Sequence, residues 1–270
     1  SMQDHPFSII VCKFKNLPCI LRIANHPHGS LKFYNNIFNH LLKISIKKFF
    51  YFFSSGIICN SNSSTNYLKK IFKNKKIITI YNPIEVKFYK NKKISNHIIS
   101  VGRLEKQKNF YGLIKAFKKV TLKYKNIKLI IVGSGSEEKR LKNLSKKLKK
   151  YKKIIFIRFQ KADDQIKSSK LFVLNSLWEG LPNILIETQI LKTPILSTNC
   201  ESGPKEILLN GKIGYLTPIN DYKKLAQKII YIFENYNEAK KKAKLAANYL
   251  NRFDFNNQCK KYEVFLKTFS

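Results

Sequence analysis

Short runs rich in Ile and Val alternate with longer stretches of helical period along nearly the whole chain, with no internal repeat. Such alternation specifies a parallel sheet whose strands are joined by crossover helices, because parallel neighbours need a long connection and a helix supplies it. In the second part of the chain strands are expected at His97–Val101, Lys128–Val132, Lys153–Ile157, Leu171–Leu174, Pro194–Ser197 and Gly214–Leu216. Helices are expected between them at Phe110–Tyr124, Glu137–Lys149, Asp163–Ser168, Asn183–Leu191 and Pro204–Leu209. A doubly wound sheet of this kind binds its ligands at the carboxyl ends of the strands. The loops after those strands are therefore where chemistry is sought.

The first part alternates in the same way but with fewer units. Cys19–Ala24, Ile57–Asn60 and Ile77–Tyr81 read as strands, and Leu31–Phe53 and Ser63–Phe72 as helices. Three strands make a small sheet, so residues 1–91 are expected to be the end of a Rossmann-like domain whose front is lacking. Residues 92–251 form the complete domain, and 252–270 are a terminal helix returning toward the first one. Asn82-Pro83 and the polar run Tyr89–Asn96 mark the linker.

Composition narrows the function. Lys and Arg number 52 against 16 Asp and Glu, a net charge of +36, yet only five of the 52 are Arg and the Lys are scattered through every segment. Lys, Asn and Ile share A/T-rich codons, so compositional drift accounts for the excess, and no nucleic-acid partner is expected. Attraction to an anionic lipid surface does follow from such a field. The basic amphipathic stretch Leu31–Phe53 could lie on one, although a core helix with Lys on its wet side explains it as well. The five cysteines show no CxxC spacing and no secretory leader precedes them, which points to reduced thiols in a cytoplasm.

Several sites are eliminated on spacing. Gly133-Ser134-Gly135 lacks the third glycine of a dinucleotide fingerprint, since Glu138 stands where it belongs. No nucleophile elbow, P-loop or metal-ligand spacing of the five His occurs; His26 and His28, flanking Pro27, read as turn residues.

Two loops stand out. After the strand His97–Val101, Gly102 lets the backbone approach closely, and Arg103 and Lys108 can converge on one anion. After the strand Leu171–Leu174 comes Ser176-Leu177-Trp178-Glu179-Gly180-Leu181-Pro182-Asn183-Ile184-Leu185-Ile186-Glu187, in which a turn leads into a helix start with unpaired backbone N–H groups. At about 100° per residue, Glu187 lies roughly 40° round the helix from Asn183 and points to the same mouth. Two carboxylates beside an anion site suit hydroxyl groups of a ribose or a sugar, which donate to them. A third run, Ser202-Gly203-Pro204-Lys205-Glu206-Ile207, opens another helix with proline at its first position.

In order and spacing these runs resemble the family 4 retaining glycosyltransferases of GT-B architecture: Val101-Gly102-Arg103-Leu104 with Lys108, Ile131-Val132-Gly133-Ser134-Gly135, Glu179-Gly180-Leu181-Pro182-Asn183 with seven residues between Glu179 and Glu187, and Gly203-Pro204-Lys205-Glu206-Ile207. The chain is similar in particular to the bacterial branch that builds surface polysaccharides and lipid-linked oligosaccharides. The resemblance covers about residues 78–250. It implies a GT-B-type α/β fold and transfer of a sugar from a nucleotide-diphosphate donor, UDP-linked, to a glycan or lipid-linked acceptor. It implies that Arg103 and Lys108 hold the donor diphosphate, that Glu179 touches the donor sugar, and that Glu187 binds the ribose. Gly102, Gly180, Leu181, Asn183, Ile184 and Leu185 would complete the donor site through the backbone. No metal or other cofactor is implied, and the place of work is the cytoplasm, at the inner face of the membrane. Arg158 stands where the family often has glycine near the base pocket. A GT-B epimerase or phosphorylase, or a non-catalytic remnant that binds nucleotide sugar or a partner, are the alternatives.

Overall fold

A computed structural model describes residues 5–26, 45–46, 48–85, 92–150, 152–158 and 160–269. Among the described residues nine strands form two sheets, both wholly parallel. The first holds β1 (Ile20–Ile23), β2 (Gly56–Cys59) and β3 (Lys76–Thr79) in chain order. The second holds β4 (His97–Val101), β5 (Lys128–Val132), β6 (Ile154–Ile157), β7 (Leu171–Leu174), β8 (Ile195–Thr198) and β9 (Tyr215–Thr217) in the order β6-β5-β4-β7-β8-β9. The chain thus winds outward from β4 in one direction, returns, and winds outward from β7 in the other. Between β4 and β7 the direction reverses, and there the loops diverge to leave a crevice at the carboxyl ends of the strands.

Every residue of β4 and β7 is buried, because helices cover both faces. Ile98, Leu171 and Val173 point to one layer, with Leu113, Phe117 and Val120 of the helix Phe110–Lys123 and Leu225, Ile229 and Ile232 of Tyr222–Glu234. Their neighbours Ile99, Phe172 and Leu174 point to the other, with Leu185 and Ile186 of the helix Asn183–Ile190. The period of two therefore appears as a choice between two cores and not between core and water.

A helix at His5–Phe14 was not expected. Its Ile9 enters the first sheet's core, while Phe7, Ile10, Val11 and Phe14 are exposed. Most of the stretch expected as the helix Leu31–Phe53 lies outside the described residues; those at 45–46 and 48–53 are helical. The linker Tyr89–Asn96 likewise lies partly outside them.

The terminal helix Phe255–Leu266 packs on the first sheet, where Phe265 meets Ile58 and Ile80. Gly56 faces the Phe269 ring so closely that a Cβ there would stand 2.5 Å from it. Farther back along the same helix, Gln258 accepts from the Tyr81 backbone N–H at 2.9 Å and donates to the Arg252 carbonyl at 2.7 Å, tying the crossing point of the chain.

Candidate active site

The crevice between β4 and β7 is built from two loops bonded to each other. The Leu177 N–H donates to the Gln107 carbonyl and the Gln107 side-chain amide to the Trp178 carbonyl, both at 2.8 Å. Asn109, left-handed at φ 46°, caps the helix Phe110–Lys123 by accepting from Gly112 N–H at 3.1 Å, and its own carbonyl accepts from the Asn175 amide at 2.9 Å. Asparagine tolerates this conformation because its short polar side chain bonds locally. The loop after β4 is thereby fixed against the loop after β7.

Across that platform the Lys108 ammonium reaches the Glu179 carboxylate at 2.6 Å. The same carboxylate oxygen accepts from the Ser176 hydroxyl at 2.5 Å. Both partners are largely sequestered, their side chains 16% and 7% exposed, so each ion compensates the other's loss of water. The lysine passes over Gly102, where a Cβ would lie 3.4 Å from the Lys108 Cε, an ordinary contact. Arg103, by contrast, is 68% exposed and pairs with Glu105 at 3.2 Å. The structure brings Lys108 to the carboxylate, whereas spacing alone converges it with Arg103, whose exposed guanidinium bonds Glu105 instead.

Gly180 occupies the turn for a reason the sequence alone did not show. A Cβ on it would stand 2.0 Å from the Ala24 carbonyl of the first sheet, and Asn25 forms an antiparallel bridge with it. Gly203 in turn fits against the Gly180 carbonyl, and the Ser202 hydroxyl donates to the carbonyls of Glu179 and Gly180, each at 3.0 Å. The run Ser202-Gly203-Pro204 therefore buttresses the turn that carries Glu179.

Beyond the turn, Leu181 and Leu185 bury their side chains in the core, and the Leu185 N–H donates to the Pro182 carbonyl at 3.0 Å. Asn183 and Ile184 stand at the first turn, where helix N–H groups have no intrahelical acceptor. Asn183 is exposed, and its side-chain carbonyl accepts from the Asn82 amide at 2.5 Å. Asn82 accepts in turn from Arg22. Glu187 is half-buried on the same helix with no hydrogen bond to it among the described residues. Burial, and secondarily the charge of Asp163, push its carboxyl above the ordinary range. Arg158, after β6, is exposed.

His26, read from sequence as a turn residue, instead stands in the cleft between the sheets. Its Nδ1 lies 3.7 Å from the Glu201 carboxylate and its ring 5.3 Å from that of Tyr67. Nothing local to the His-Pro-His triplet signals this; the partners come from other loops. His28 lies outside the described residues.

The chain is similar to known proteins in sequence and in fold. The family model described as glycosyl transferases group 1 matches residues 83–249. An uncharacterized glycosyltransferase of Methanocaldococcus jannaschii is 34% identical over 221 residues, 74% of this chain and 54% of that protein. The N-acetylgalactosamine-N,N'-diacetylbacillosaminyl-diphospho-undecaprenol 4-alpha-N-acetylgalactosaminyltransferase of Campylobacter jejuni is 26% identical over 231 residues, 80% of this chain and 62% of that one. Among solved structures, Anabaena HepE in complex with UDP and glucose superimposes with a TM-score of 0.85 at 18% identity, over 99% of this chain and 76% of the other, a likeness of fold. The chain spans about half the length of the curated relatives it matches.

Proposed function

The chain belongs to the group 1 glycosyl transferases, and from that premise we propose that it binds a UDP-linked sugar in the crevice between β4 and β7 and transfers the sugar, with retention, to a glycan or lipid-linked acceptor in cell-surface polysaccharide synthesis. The observation that supports it most is the meeting of a cationic loop, a buried carboxylate and a helix start at the point where the sheet reverses. When the bond between sugar and nucleotide breaks, negative charge grows on the departing diphosphate. Fixed donors aimed at that charge lower the barrier, because they need no reorganisation as it forms.

In this reading Arg103, Lys108 and the N–H groups of Asn183 and Ile184 receive the diphosphate, without a metal. The exposure of Arg103 lets its guanidinium turn from Glu105 to two phosphate oxygens, a bidentate geometry that it suits. Glu179, held by Lys108 and Ser176, faces the sugar, and Glu187 accepts from the ribose hydroxyls. Relatives and neighbours with glycan-building or UDP-bound names support the donor and the pathway class. The place of action is proposed as the cytoplasmic face of an anionic membrane, contacted peripherally. The exposed Phe7, Phe14, Phe49 and Phe52 and the net charge of +36 favour such contact, and among the described residues no helix is long and apolar enough to cross a membrane.

Calorimetry with UDP and UDP-sugars tests the reading. Arg103→Ala is expected to weaken binding about tenfold or more, the worth of a charge-assisted hydrogen bond. Equal affinity would take Arg103 out of the site.

A further inference from the structure

At the end of the first sheet away from the crevice, a cavity of about 660 Å³ opens between the turn after the helix Asn62–Ile71, the residues just before β2 and the end of the chain. We propose that it is a binding site for a single long-chain carboxylate, a fatty-acid-like amphiphile whose hydrocarbon lies on the rings and whose head meets the lysines. The site is independent of the donor reading and stands or falls without it.

Its place follows from the sheet. β1, β2 and β3 are parallel, so their amino ends gather on one side and their carboxyl ends on the other. Asn25, Asn62 and Asn82, which reach loops of the second domain, all follow carboxyl ends. The cavity is lined instead by Phe52 and Ser55, which precede β2, and by residues 72–75, which precede β3. A strand of four residues, about 13 Å of extended chain, separates it from the crevice side.

The walls are apolar. Phe269 is held in place by the edge of the Phe265 ring at 5.2 Å, by Gly56, which leaves room for it, and by the Lys76 ammonium 4.7 Å above its face. Phe52 is 67% exposed, and Ile71 and Phe72 are half-buried. Together these side chains offer hydrocarbon surface that an inserted chain would take out of water.

Three ammonium groups stand at the same cavity. Lys75 donates to the Phe52 carbonyl at 2.9 Å and to the Ser54 carbonyl, at the end of the helical stretch 48–53. Lys76 donates to the Thr268 carbonyl at 2.9 Å, and Lys73 makes no hydrogen bond or ion pair among the described residues. The bonded partners are neutral, and no carboxylate among the described residues lines the space, so the positive charge is uncompensated. Burial holds the Lys75 ammonium below its ordinary pKa, the mark of a cation that has lost water without gaining an anion. A carboxylate supplies that anion and its chain covers the rings. An anion without a chain leaves the rings bare, and a neutral chain leaves the lysines unanswered. A bilayer presents its headgroups as a plane, whereas the half-buried Lys75 is met only by a molecule that enters.

The test is calorimetry with dodecanoate below its micelle concentration, at physiological ionic strength, which screens the scattered surface lysines. One dodecanoate per chain is expected. Acetate, the head without the chain, and dodecyl maltoside, the chain without the charge, are each expected to bind about tenfold more weakly or worse. Asn74 is exposed on the turn, so Asn74→Trp fills the cavity without touching the core and should weaken dodecanoate about tenfold or more. Lys73→Glu should weaken it about fivefold, and Lys118→Glu, on the exposed face of the helix Phe110–Lys123, should leave it within about twofold. Thermal unfolding verifies that the variants fold. Absence of saturable binding overturns the proposal, as does binding indifferent to Asn74→Trp and Lys73→Glu. Equal losses in Lys73→Glu and Lys118→Glu also overturn it, because net charge then accounts for the binding. Flotation on phosphatidylglycerol vesicles separates the free amphiphile from the bilayer: Asn74→Trp is expected to float as the unaltered chain does, and flotation lost in that variant gives the cavity to the membrane and overturns the proposal. A chain that binds dodecanoate in this pattern but no UDP keeps this inference and sinks the donor reading.

Discussion

Lys108 and Glu179 invite a double-mutant cycle that separates stability from binding. Lys108→Met and Glu179→Gln each leave one ion in a site where the side chains are 16% and 7% exposed. Removing one partner of a buried pair costs about 3–5 kcal/mol, and the partial access of Lys108 places this pair near the lower figure, about 3 kcal/mol. For a chain of this size each kcal/mol lowers the melting temperature by about 2–4 °C, so each single variant should melt roughly 6–12 °C early. The double variant carries no stranded charge, and the amide carbonyl that Glu179→Gln introduces can still accept from Ser176. It should therefore lose little more than either single change, with a coupling of about 2–3 kcal/mol. UDP affinity is expected to behave otherwise. A hydrogen bond from a charged donor is worth about 1.5–3 kcal/mol, so Lys108→Met should weaken UDP about 10- to 100-fold, with or without the second change. Urea unfolding and calorimetry on the four proteins measure both. Additive stabilities, within about 0.5 kcal/mol, would refute the pairing. Affinity that recovers in the double variant would refute the phosphate role.

Glu187 supplies a pH test. Its carboxyl is raised by burial and by Asp163, so between the ordinary glutamate value and the raised one the folded chain holds more protons than the unfolded; stability contributed there is present at low pH and falls as pH rises through the window. Glu187→Gln should flatten that fall in urea unfolding followed across the acid-to-neutral range, while weakening UDP at neutral pH; an unchanged profile removes the assignment. Gly180→Ala sets a methyl 2.0 Å from the Ala24 carbonyl and should cost about 1–3 kcal/mol as the sheets are forced apart. A melting temperature equal to that of the unaltered chain would show that the contact yields freely.

What could be read from the sequence follows from where each residue finds its partners. β4 and β7 were legible because Ile98 and Ile99, or Phe172 and Val173, are all buried, one on each side, so the strand is a continuous apolar run. The helix His5–Phe14 was not, because only Ile9 and, in part, Cys12 are drawn into the core while Phe7, Ile10, Val11 and Phe14 stay exposed; without a clear polar face it shows no helical period. Local chemistry pointed to Glu179, Asn183 and Glu187, whose turn and helix start lie within one short run. The partner of Glu179 did not show, since Lys108 arrives from another strand end and could have met Arg103's anion equally well on spacing alone. The use of Gly180 was hidden for the same reason: the atom that forbids a side chain there is a carbonyl of β1's following loop.

These long-range partners also bear on what the first sheet contributes. Three residues that follow its strands reach loops of the second sheet's domain: Asn25 bridges Gly180, Asn82 donates to the Asn183 side chain, and the Asn62 N–H donates to both oxygens of Glu206 at 3.0 Å. Tyr81 adds a hydrogen bond of 2.5 Å to the same Glu206 carboxylate, and burial first, then that bond, raises its hydroxyl's pKa so that it stays a donor. Arg252, on the segment returning from the second sheet, donates to the Glu206 and Ile207 carbonyls at 3.1 and 3.0 Å. Glu206 is thus held at its carboxylate by Asn62 and Tyr81 and at its backbone carbonyl by Arg252, directly after the Ser202-Gly203 buttress beneath Glu179. A displacement of the first sheet would be felt at Gly180 and Asn183, and also in the second sheet's core through Tyr81, whose ring lies 5.1 Å from that of Phe253. The turn that bears the candidate chemistry is therefore shaped from both sides of the cleft, by contacts that neither sheet makes alone.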